Sequence, residues 1–201
     1  HLFGGTGDDR LAGGGGADTL FGGAGADTLS GGAGNDTLTG GTGSDSIYGG
    51  TGSDAILVGP ADGADTIEGG EDADGSDIDR LVLGDGGGTP GVTVTMAGDE
   101  AGSYAYGGGN ASGDFVEIER VETGAGADTI DGSASGAGMQ YATGAGDDSV
   151  TGGAGDDRIE TGTGDDSIAG GDGNDTIIAG DGADTIRGGA GDDDIDLGVA
   201  G

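Results

Sequence analysis

Aliphatic side chains recur every nine residues along two long stretches of this chain. Residues 4–57 form six successive units, GGTGDDRLA, GGGGADTLF, GGAGADTLS, GGAGNDTLT, GGTGSDSIY and GGTGSDAIL, each of the form G-G-x-G-x-D-x-U-x with U aliphatic. The glycines allow a tight turn with positive φ. The single aliphatic residue that follows each turn favours a short strand with one buried side chain. The pattern therefore predicts an all-β chain of alternating turns and strands.

The same pattern continues, with small changes, on both sides of an irregular section. Residues 58–68 (VGPADGADTIE) keep the aspartate and the aliphatic residue in a unit that is two residues longer. The pattern returns at 123–131, becomes degenerate at 132–142, where no turn aspartate is present, and then runs through six more units at 143–196. We therefore divide the chain into a first repeat block (1–68), an irregular strand-rich section (69–121) and a second repeat block (122–201).

The irregular section contains three stretches that favour strands. DRLVL (79–83) is short and apolar, VTVTM (92–96) alternates apolar and polar residues, and FVEIERV (115–121) is rich in β-branched and aromatic residues. Large apolar residues are too few here for a separate globular domain. We expect either a widened part of the same repeat structure or a small sheet lying on it.

The nonapeptide resembles the calcium-binding repeat of RTX (repeats-in-toxin) proteins. The resemblance implies a right-handed parallel β-roll in which two nonapeptides form one coil and calcium lies between turns stacked on the same side. It also implies that the turn aspartates are metal ligands, assisted by turn carbonyls near the second and fourth positions. In this sequence these residues are Asp9, Asp18, Asp27, Asp36, Asp45, Asp54, Asp65, Asp128, Asp148, Asp157, Asp166, Asp175, Asp184 and Asp193.

Stacked turns place carboxylates close enough to need a cation. Neighbouring strands of a sheet lie about 4.8 Å apart, and two bare carboxylates at that spacing repel each other by about 1 kcal/mol in water and by more in a poorer dielectric. Stacking within the blocks gives eight sites, and the pairs Asp45–Asp65 and Asp128–Asp148 raise the number to about ten. Roughly eight to ten Ca²⁺ would change the net charge from −34 to about −18 to −14.

The composition indicates that folding depends on this metal. With 57 Gly, 3% aromatic residues and a net charge of −34, the chain would be expected to be disordered if it had no repeats. We therefore predict a disordered chain without calcium and a folded roll with it. The five cations are all arginine, which argues against binding to nucleic acid or to an anionic membrane. No apolar run is long enough for direct membrane insertion.

The residue inventory also excludes most catalytic chemistry. The single His and the absence of Cys leave no histidine triad, thiolate nucleophile or H-E-x-x-H zinc motif, so we predict that this chain is not an enzyme. Asp72, Asp74 and Asp77 have the spacing of a calcium loop, but Leu83 stands where an EF-hand needs its glutamate. A solvated acidic loop or an isolated extra ion remain the alternatives there.

The RTX resemblance implies export from a Gram-negative bacterium by a type I secretion channel, and hence an extracellular or cell-surface location where calcium is plentiful. Two roles remain open. The chain is either an architectural segment of a surface protein (an adhesin, surface layer or filament) or the secretion and folding module of an exported hydrolase or toxin. Both ends look cut from a longer polypeptide. Calcium-bridged self-assembly and contact with a cell surface are further hypotheses, motivated by the acidic surface and the open ends of the roll.

Overall fold

The protein consists of β-strands joined by turns. The computed structural model describes residues 1–73, 77–84, 91–109 and 111–198, and these residues contain 21 strands in two sheets and no helix. Accordingly, no helix of the described residues has the length and apolarity needed to cross a membrane. The prediction of an all-β parallel roll is confirmed.

Sheet A has ten strands, all paired in parallel. In spatial order they are β1 (Leu2–Thr6), β3 (Thr19–Ala24), β5 (Thr37–Thr42), β7 (Ala55–Val58), β9 (Arg80–Leu83), β13 (Arg120–Ala125), β15 (Gln140–Ala145), β17 (Arg158–Thr163), β19 (Thr176–Asp181) and β21 (Asp194–Asp196). Because only odd-numbered strands lie here, the chain crosses to the other sheet after each of them.

Sheet B has eleven strands. In spatial order they are β2 (Arg10–Gly15), β4 (Thr28–Ala33), β6 (Ser46–Thr51), β8 (Ala64–Glu68), β12 (Ser112–Val116), β11 (Ala101–Tyr106), β10 (Val92–Gly98), β14 (Thr129–Asp131), β16 (Ser149–Thr151), β18 (Ser167–Asp172) and β20 (Thr185–Ala190). One strand from each sheet, with its two turns, makes one coil of the solenoid.

The aliphatic residue of each repeat points between the two sheets. Leu20 pairs with Leu38 and Leu38 with Ile56 in sheet A, and all three are fully buried. Leu29 and Ile47 do the same in sheet B. The core is therefore a double column of one side chain per nonapeptide. Ile195, on the outermost strand β21 of sheet A, is 41% exposed because it has a neighbouring strand on one side only.

The irregular section widens sheet B. After β9 the chain enters sheet B as β10 beside β14, returns through β11 and β12 in antiparallel pairing, and reaches β8, where parallel pairing resumes. This three-stranded meander stands opposite the single step from β9 to β13 in sheet A. Sheets A and B are thus continuous through the irregular section, which forms a widened part of the same solenoid.

The three strand predictions for this section are confirmed only in part. DRLVL contains β9 and VTVTM lies within β10, whereas FVEIERV is divided between β12 and β13 by a turn at Glu117, which has φ of 56°. Strand β11 was not predicted, because its sequence AGSYAY is rich in small residues. The domain boundaries at residues 68 and 121 stay a prediction.

Candidate metal centre

A hydrogen bond from backbone to side chain joins the turn aspartates of successive coils. The backbone N–H of Asp27 donates to Oδ1 of Asp45 at 2.8 Å, and that of Asp36 donates to Oδ1 of Asp54 at 2.7 Å. In both pairs the partners are 18 residues apart, which is one coil of two nonapeptides. The bond holds one oxygen of each carboxylate against the neighbouring coil.

These bonds form two ladders along the two edges of the solenoid. We call the turn residues that lead into sheet A ladder A and those that lead into sheet B ladder B. Ladder B consists of two runs, Asp9–Asp27–Asp45–Asp65 and Asp128–Asp148–Asp166–Asp184. Ladder A contains Asp18–Asp36–Asp54 and Asp157–Asp175–Asp193. The structure therefore brings every predicted turn aspartate into a stack with a neighbour of its own ladder.

The second carboxylate oxygen of most of these residues lacks a partner. Among the described residues, nine aspartates have an Oδ2 that is buried and accepts no hydrogen bond: Asp9, Asp27, Asp36, Asp45, Asp54, Asp79, Asp148, Asp166 and Asp175. A buried carboxylate oxygen without a partner is costly, because its negative charge has lost the solvation of water. These oxygens need a positive charge beside them.

Burial makes the charged form of these carboxylates unfavourable. It raises the pKa of Asp54 to about 7, and the neighbouring carboxylate of Asp36 adds to the rise. Burial likewise raises the pKa of Asp148 to about 6, with a further contribution from Asp128. Protein cations do not offset this cost, since arginines are sparse and there is no lysine. A bound cation would stabilise the ionised form.

The first glycine of each turn leaves room for oxygens to converge. A Cβ added to Gly22 would lie 2.5 Å from Oδ2 of Asp27 and 2.5 Å from the carbonyl oxygen of Gly40 in the next coil. Any side chain at Gly22 would therefore fill the space in which a carboxylate and a carbonyl come together. Hard cations such as calcium prefer this set of oxygen donors.

Comparison with known families agrees with this geometry. The family model of the RTX calcium-binding nonapeptide repeat (4 copies) matches residues 1–29, 30–59, 61–74, 117–135, 141–168 and 169–199, which is well over half of the chain. The chain belongs to the RTX calcium-binding repeat family. No curated protein matches it. RTX repeats bind calcium, and the unpartnered aspartate oxygens and uncovered carbonyls fit that ion in charge and in donor type.

Two residues of ladder A in this RTX chain were missed by the sequence analysis. The backbone N–H of Asp54 donates to Oδ1 of Asp79 at 2.7 Å, and that of Asp79 donates to Oε2 of Glu119 at 2.6 Å. Both lie two residues before a buried aliphatic residue, Leu81 or Val121, as the turn aspartates do. An acidic residue two places before an aliphatic residue was therefore the signal available in the sequence. The sequence analysis missed it because the glycine pattern that precedes the turn aspartates in the repeats is absent here.

Ladder A is interrupted in the degenerate unit. Met139 occupies the place of the turn aspartate: its backbone N–H donates to Oδ1 of Asp157 at 2.8 Å, but its own side chain is a buried thioether. Oδ2 of Asp157 accepts a hydrogen bond from the backbone N–H of Gly153 at 2.7 Å. The carboxylate of Asp157 is therefore satisfied by the RTX chain itself.

Ladder B is interrupted at the meander, and hydroxyl groups lie at both ends of the gap. The hydroxyl of Tyr104 donates to Oδ2 of Asp65 at 3.3 Å, and that of Thr123 donates to Oδ2 of Asp128 at 2.6 Å. On the meander side neither carboxylate stacks on another carboxylate of the described residues, and the backbone N–H of Val92 donates to Oδ1 of Asp128 at 2.6 Å. The two hydroxyls bind the other oxygen of each residue. The meander thus separates two sets of RTX turns.

The acidic loop after β8 is only partly described. The backbone N–H of Asp72 donates to Oδ2 of Asp77 at 3.0 Å. Asp74, the third member of the predicted calcium-loop spacing, lies outside the described residues. Whether this loop carries an ion stays an open prediction.

Proposed function

We propose that this chain folds when extracellular calcium binds to its two carboxylate ladders. In this proposal the turn aspartates from Asp9 to Asp65 and from Asp128 to Asp193 hold calcium between stacked turns, together with carbonyls of the turn glycines. Calcium would supply the positive charge between the ladder carboxylates. The aspartates would orient their carboxylates by the backbone hydrogen bonds of the ladders, and the glycines would leave the carbonyls accessible.

The observation that carries the proposal is the set of unpartnered Oδ2 atoms. Eight of the nine belong to turn aspartates of the repeats, and they recur in both blocks and on both ladders. A chance acidic cluster would not place one unsatisfied oxygen in the same turn position of successive coils. The expected number of ions remains about eight to ten.

Calcium-dependent folding suits a protein that is exported unfolded. Calcium is scarce inside cells and about millimolar outside, which matches the affinity range of extracellular calcium modules. We therefore propose that the chain is secreted by a Gram-negative bacterium and becomes folded outside the cell.

We propose that the roll is an architectural segment of a cell-surface or extracellular protein. Ten parallel strands in sheet A give a rod of about 43 Å at 4.8 Å per strand. The sheet runs through the irregular section without a break, which supports a stiff spacer. The alternative is a secretion and folding module of an exported hydrolase or toxin.

A circular dichroism titration tests calcium-dependent folding. CaCl₂ added to the purified, calcium-stripped chain should produce a cooperative change from coil to β-structure in the millimolar range or below, whereas MgCl₂ should not. A folded spectrum that calcium leaves unchanged would contradict the proposal.

The two roles are separated by where the parent polypeptide is found. Antibodies against this chain should detect it on the cell surface, in a form that a calcium chelator releases, if its role is architectural. Recovery of the same polypeptide free in the medium, together with hydrolytic or toxic activity, would support the alternative.

Calcium-bridged self-assembly is a separate proposal. It rests on the high net charge of −34 and on the outermost strands β1, β2, β20 and β21, each of which has a neighbouring strand on one side only among the described residues. Sedimentation velocity between zero and several millimolar calcium is the direct test. Folded chains that stay monomeric over this range would rule out assembly of this segment.

A further inference from the structure

We propose that Glu71, Glu100 and Glu119 form a further calcium site in the irregular section, outside the G-G-x-G-x-D pattern. The inference extends the proposed function, because it assigns to the meander the ion that the repeats are proposed to bind. It adds Glu71 and Glu100, which belong to neither ladder, and it can fail while calcium binding by the repeats is upheld.

Three glutamates from three separate segments meet at this point. Glu71 follows β8, Glu100 lies in the turn between β10 and β11, and Glu119 lies between β12 and β13. One carboxylate oxygen from each lies within 4.8 Å of those from the other two. Residues so far apart in sequence come together only because the meander folds back beside β8.

Glu119 provides the second observation. Its Oε1 is buried and accepts no hydrogen bond among the described residues. Its Oε2 accepts a hydrogen bond from the backbone N–H of Asp79 at 2.6 Å, which holds the carboxylate in place. Asp79 is 0% exposed, and its own Oδ2 lies beside Gly69 in ladder A, so it adds a buried carboxylate next to Glu119. The place where the glutamates meet therefore has a buried anionic oxygen without a partner among the described residues.

The arginines of this section are engaged elsewhere. Arg120 and Arg80 both pair with Glu122, at 2.7 and 3.6 Å. Among the described residues, no ion pair reaches Asp79 or the three glutamates. The negative charge collected here is thus left for an external cation.

The donor set selects the class of ion. All three side chains offer carboxylate oxygens, which suit hard cations and exclude the softer metals that prefer nitrogen or sulfur. Calcium accepts irregular arrangements of six to eight oxygens, whereas magnesium demands a near-ideal octahedron. Ligands on three loops of different length fit calcium better.

The proposed ion would link the meander to the rest of the roll. An ion held by Glu71, Glu100 and Glu119 would connect the loop after β8, the tip of the β10–β11 hairpin and the entry to β13. The interval between the two repeat blocks would then be fixed by the same ion that folds the blocks.

The test compares two double variants that remove the same charge. Glu71→Gln with Glu100→Gln alters the proposed site and leaves Asp79 and Glu119, which belong to ladder A, unchanged. Glu68→Gln with Glu160→Gln alters two glutamates outside it. Bound calcium is counted by equilibrium dialysis at saturation. Hydrogen–deuterium exchange of residues 99–101 and 117–119 is followed with and without calcium.

We expect the E71Q/E100Q variant to bind one calcium fewer than wild type and to lose the calcium-dependent protection of both segments. The E68Q/E160Q variant should bind the wild-type number. If circular dichroism shows that E71Q/E100Q does not fold, Glu71→Gln alone is used, because Glu71 is exposed. For Glu71→Gln alone we expect one calcium ion to bind more weakly than in wild type.

Two results would overturn the inference. In the first, wild type and E71Q/E100Q bind the same number of ions with the same protection, which removes this site and leaves the proposed function of the repeats intact. In the second, wild type binds no calcium at all, and both proposals are lost together.

Discussion

The backbone N–H of Asp79 donates to the carboxylate of Glu119 across an interval of 40 residues. Elsewhere the same bond joins aspartates mostly 18 residues apart. A ladder built by a strict sequence period is thus continued across a meander by two residues that the period does not predict. Spatial stacking of the strands, rather than spacing in the sequence, determines where the ladder runs.

The use of glutamate at this step follows from a shortened turn. Gly69 lies against the carbonyl of Glu117, as Gly22 lies against that of Gly40, so Glu117 takes the first position of its turn. Glu119 takes the position of the turn aspartate. Only one residue separates Glu117 from Glu119, whereas four residues separate Gly22 from Asp27. A positive φ at Glu117 closes the turn, and the extra methylene of glutamate reaches the N–H of Asp79.

Glu119→Asp tests this explanation while keeping the charge. The shorter side chain should lose the hydrogen bond to Asp79 and lower the free energy of unfolding in saturating calcium by about 1–3 kcal/mol, since the bond involves a charged acceptor. Chemical denaturation followed by circular dichroism measures the change. Glu160→Asp is the matched control, because Glu160 pairs with Arg158 at the surface, where an ion pair contributes little to stability. Equal stability of the two variants would show that glutamate is not needed at residue 119.

Gly23→Ala tests the close approach of successive turns. Gly23 has φ of 116°, and a Cβ there would collide with the carbonyl of Gly5 in the preceding coil. We expect a loss of about 1–3 kcal/mol in stability from strain and displaced turns. The control is Gly15→Ala, because a Cβ at Gly15 meets nothing within 4 Å. Thermal unfolding in calcium should separate the two variants, and identical midpoints would contradict the prediction.

Much of this fold follows from the sequence because the repeat is local. Within each unit the glycines determine the turn, and the aliphatic residue determines the buried face. The pairing of Asp27 with Asp45 then follows from the period together with the coil of two units that the RTX resemblance implies. The same reasoning also identified the stacking of Asp45 with Asp65 and of Asp128 with Asp148.

The meander could not be predicted in the same way. Its strand order depends on contacts between distant residues, such as the pairing of β10 with β14 and of β12 with β8. Large side chains there pack over glycines: Phe115 lies against Gly102, and Tyr104 lies against Gly113. Such pairs have no signature in a single sequence, and neither does the approach of Glu71 to Glu100.

Asp45→Asn tests whether a ladder carboxylate binds calcium. Asp45 is buried, and its Oδ2 accepts no hydrogen bond from any residue that the structure describes. Asparagine keeps an oxygen for the bond from Asp27 but loses the negative charge, so the midpoint of the calcium titration should rise several-fold. Asp8→Asn is the control, because Asp8 is an exposed neighbour of a turn aspartate. If both variants titrate like wild type, the ladder charge is not what binds the ion.

The calcium-free chain should become more structured as the pH falls. Burial raises the pKa of Asp54 to about 7 and that of Asp79 to about 8, from an ordinary value of 3.8. Between about pH 4 and 8 a folded chain would therefore hold protons that the unfolded chain has released, and its stability must rise as the pH decreases. Circular dichroism of the calcium-stripped chain should show more β-structure at pH 5 than at pH 8.

In the presence of calcium, the stability of the fold should instead decrease as the pH decreases. Protons and calcium compete for the same carboxylates, so the calcium midpoint should increase as the pH decreases from 8 to 5. Asp54→Asn combined with Asp79→Asn should weaken both trends, because two of the groups with raised pKa values are then absent. A calcium-free chain that loses β-structure on acidification, or a calcium midpoint that does not change with pH, would show that the ladder carboxylates are not buried in the way this structure places them.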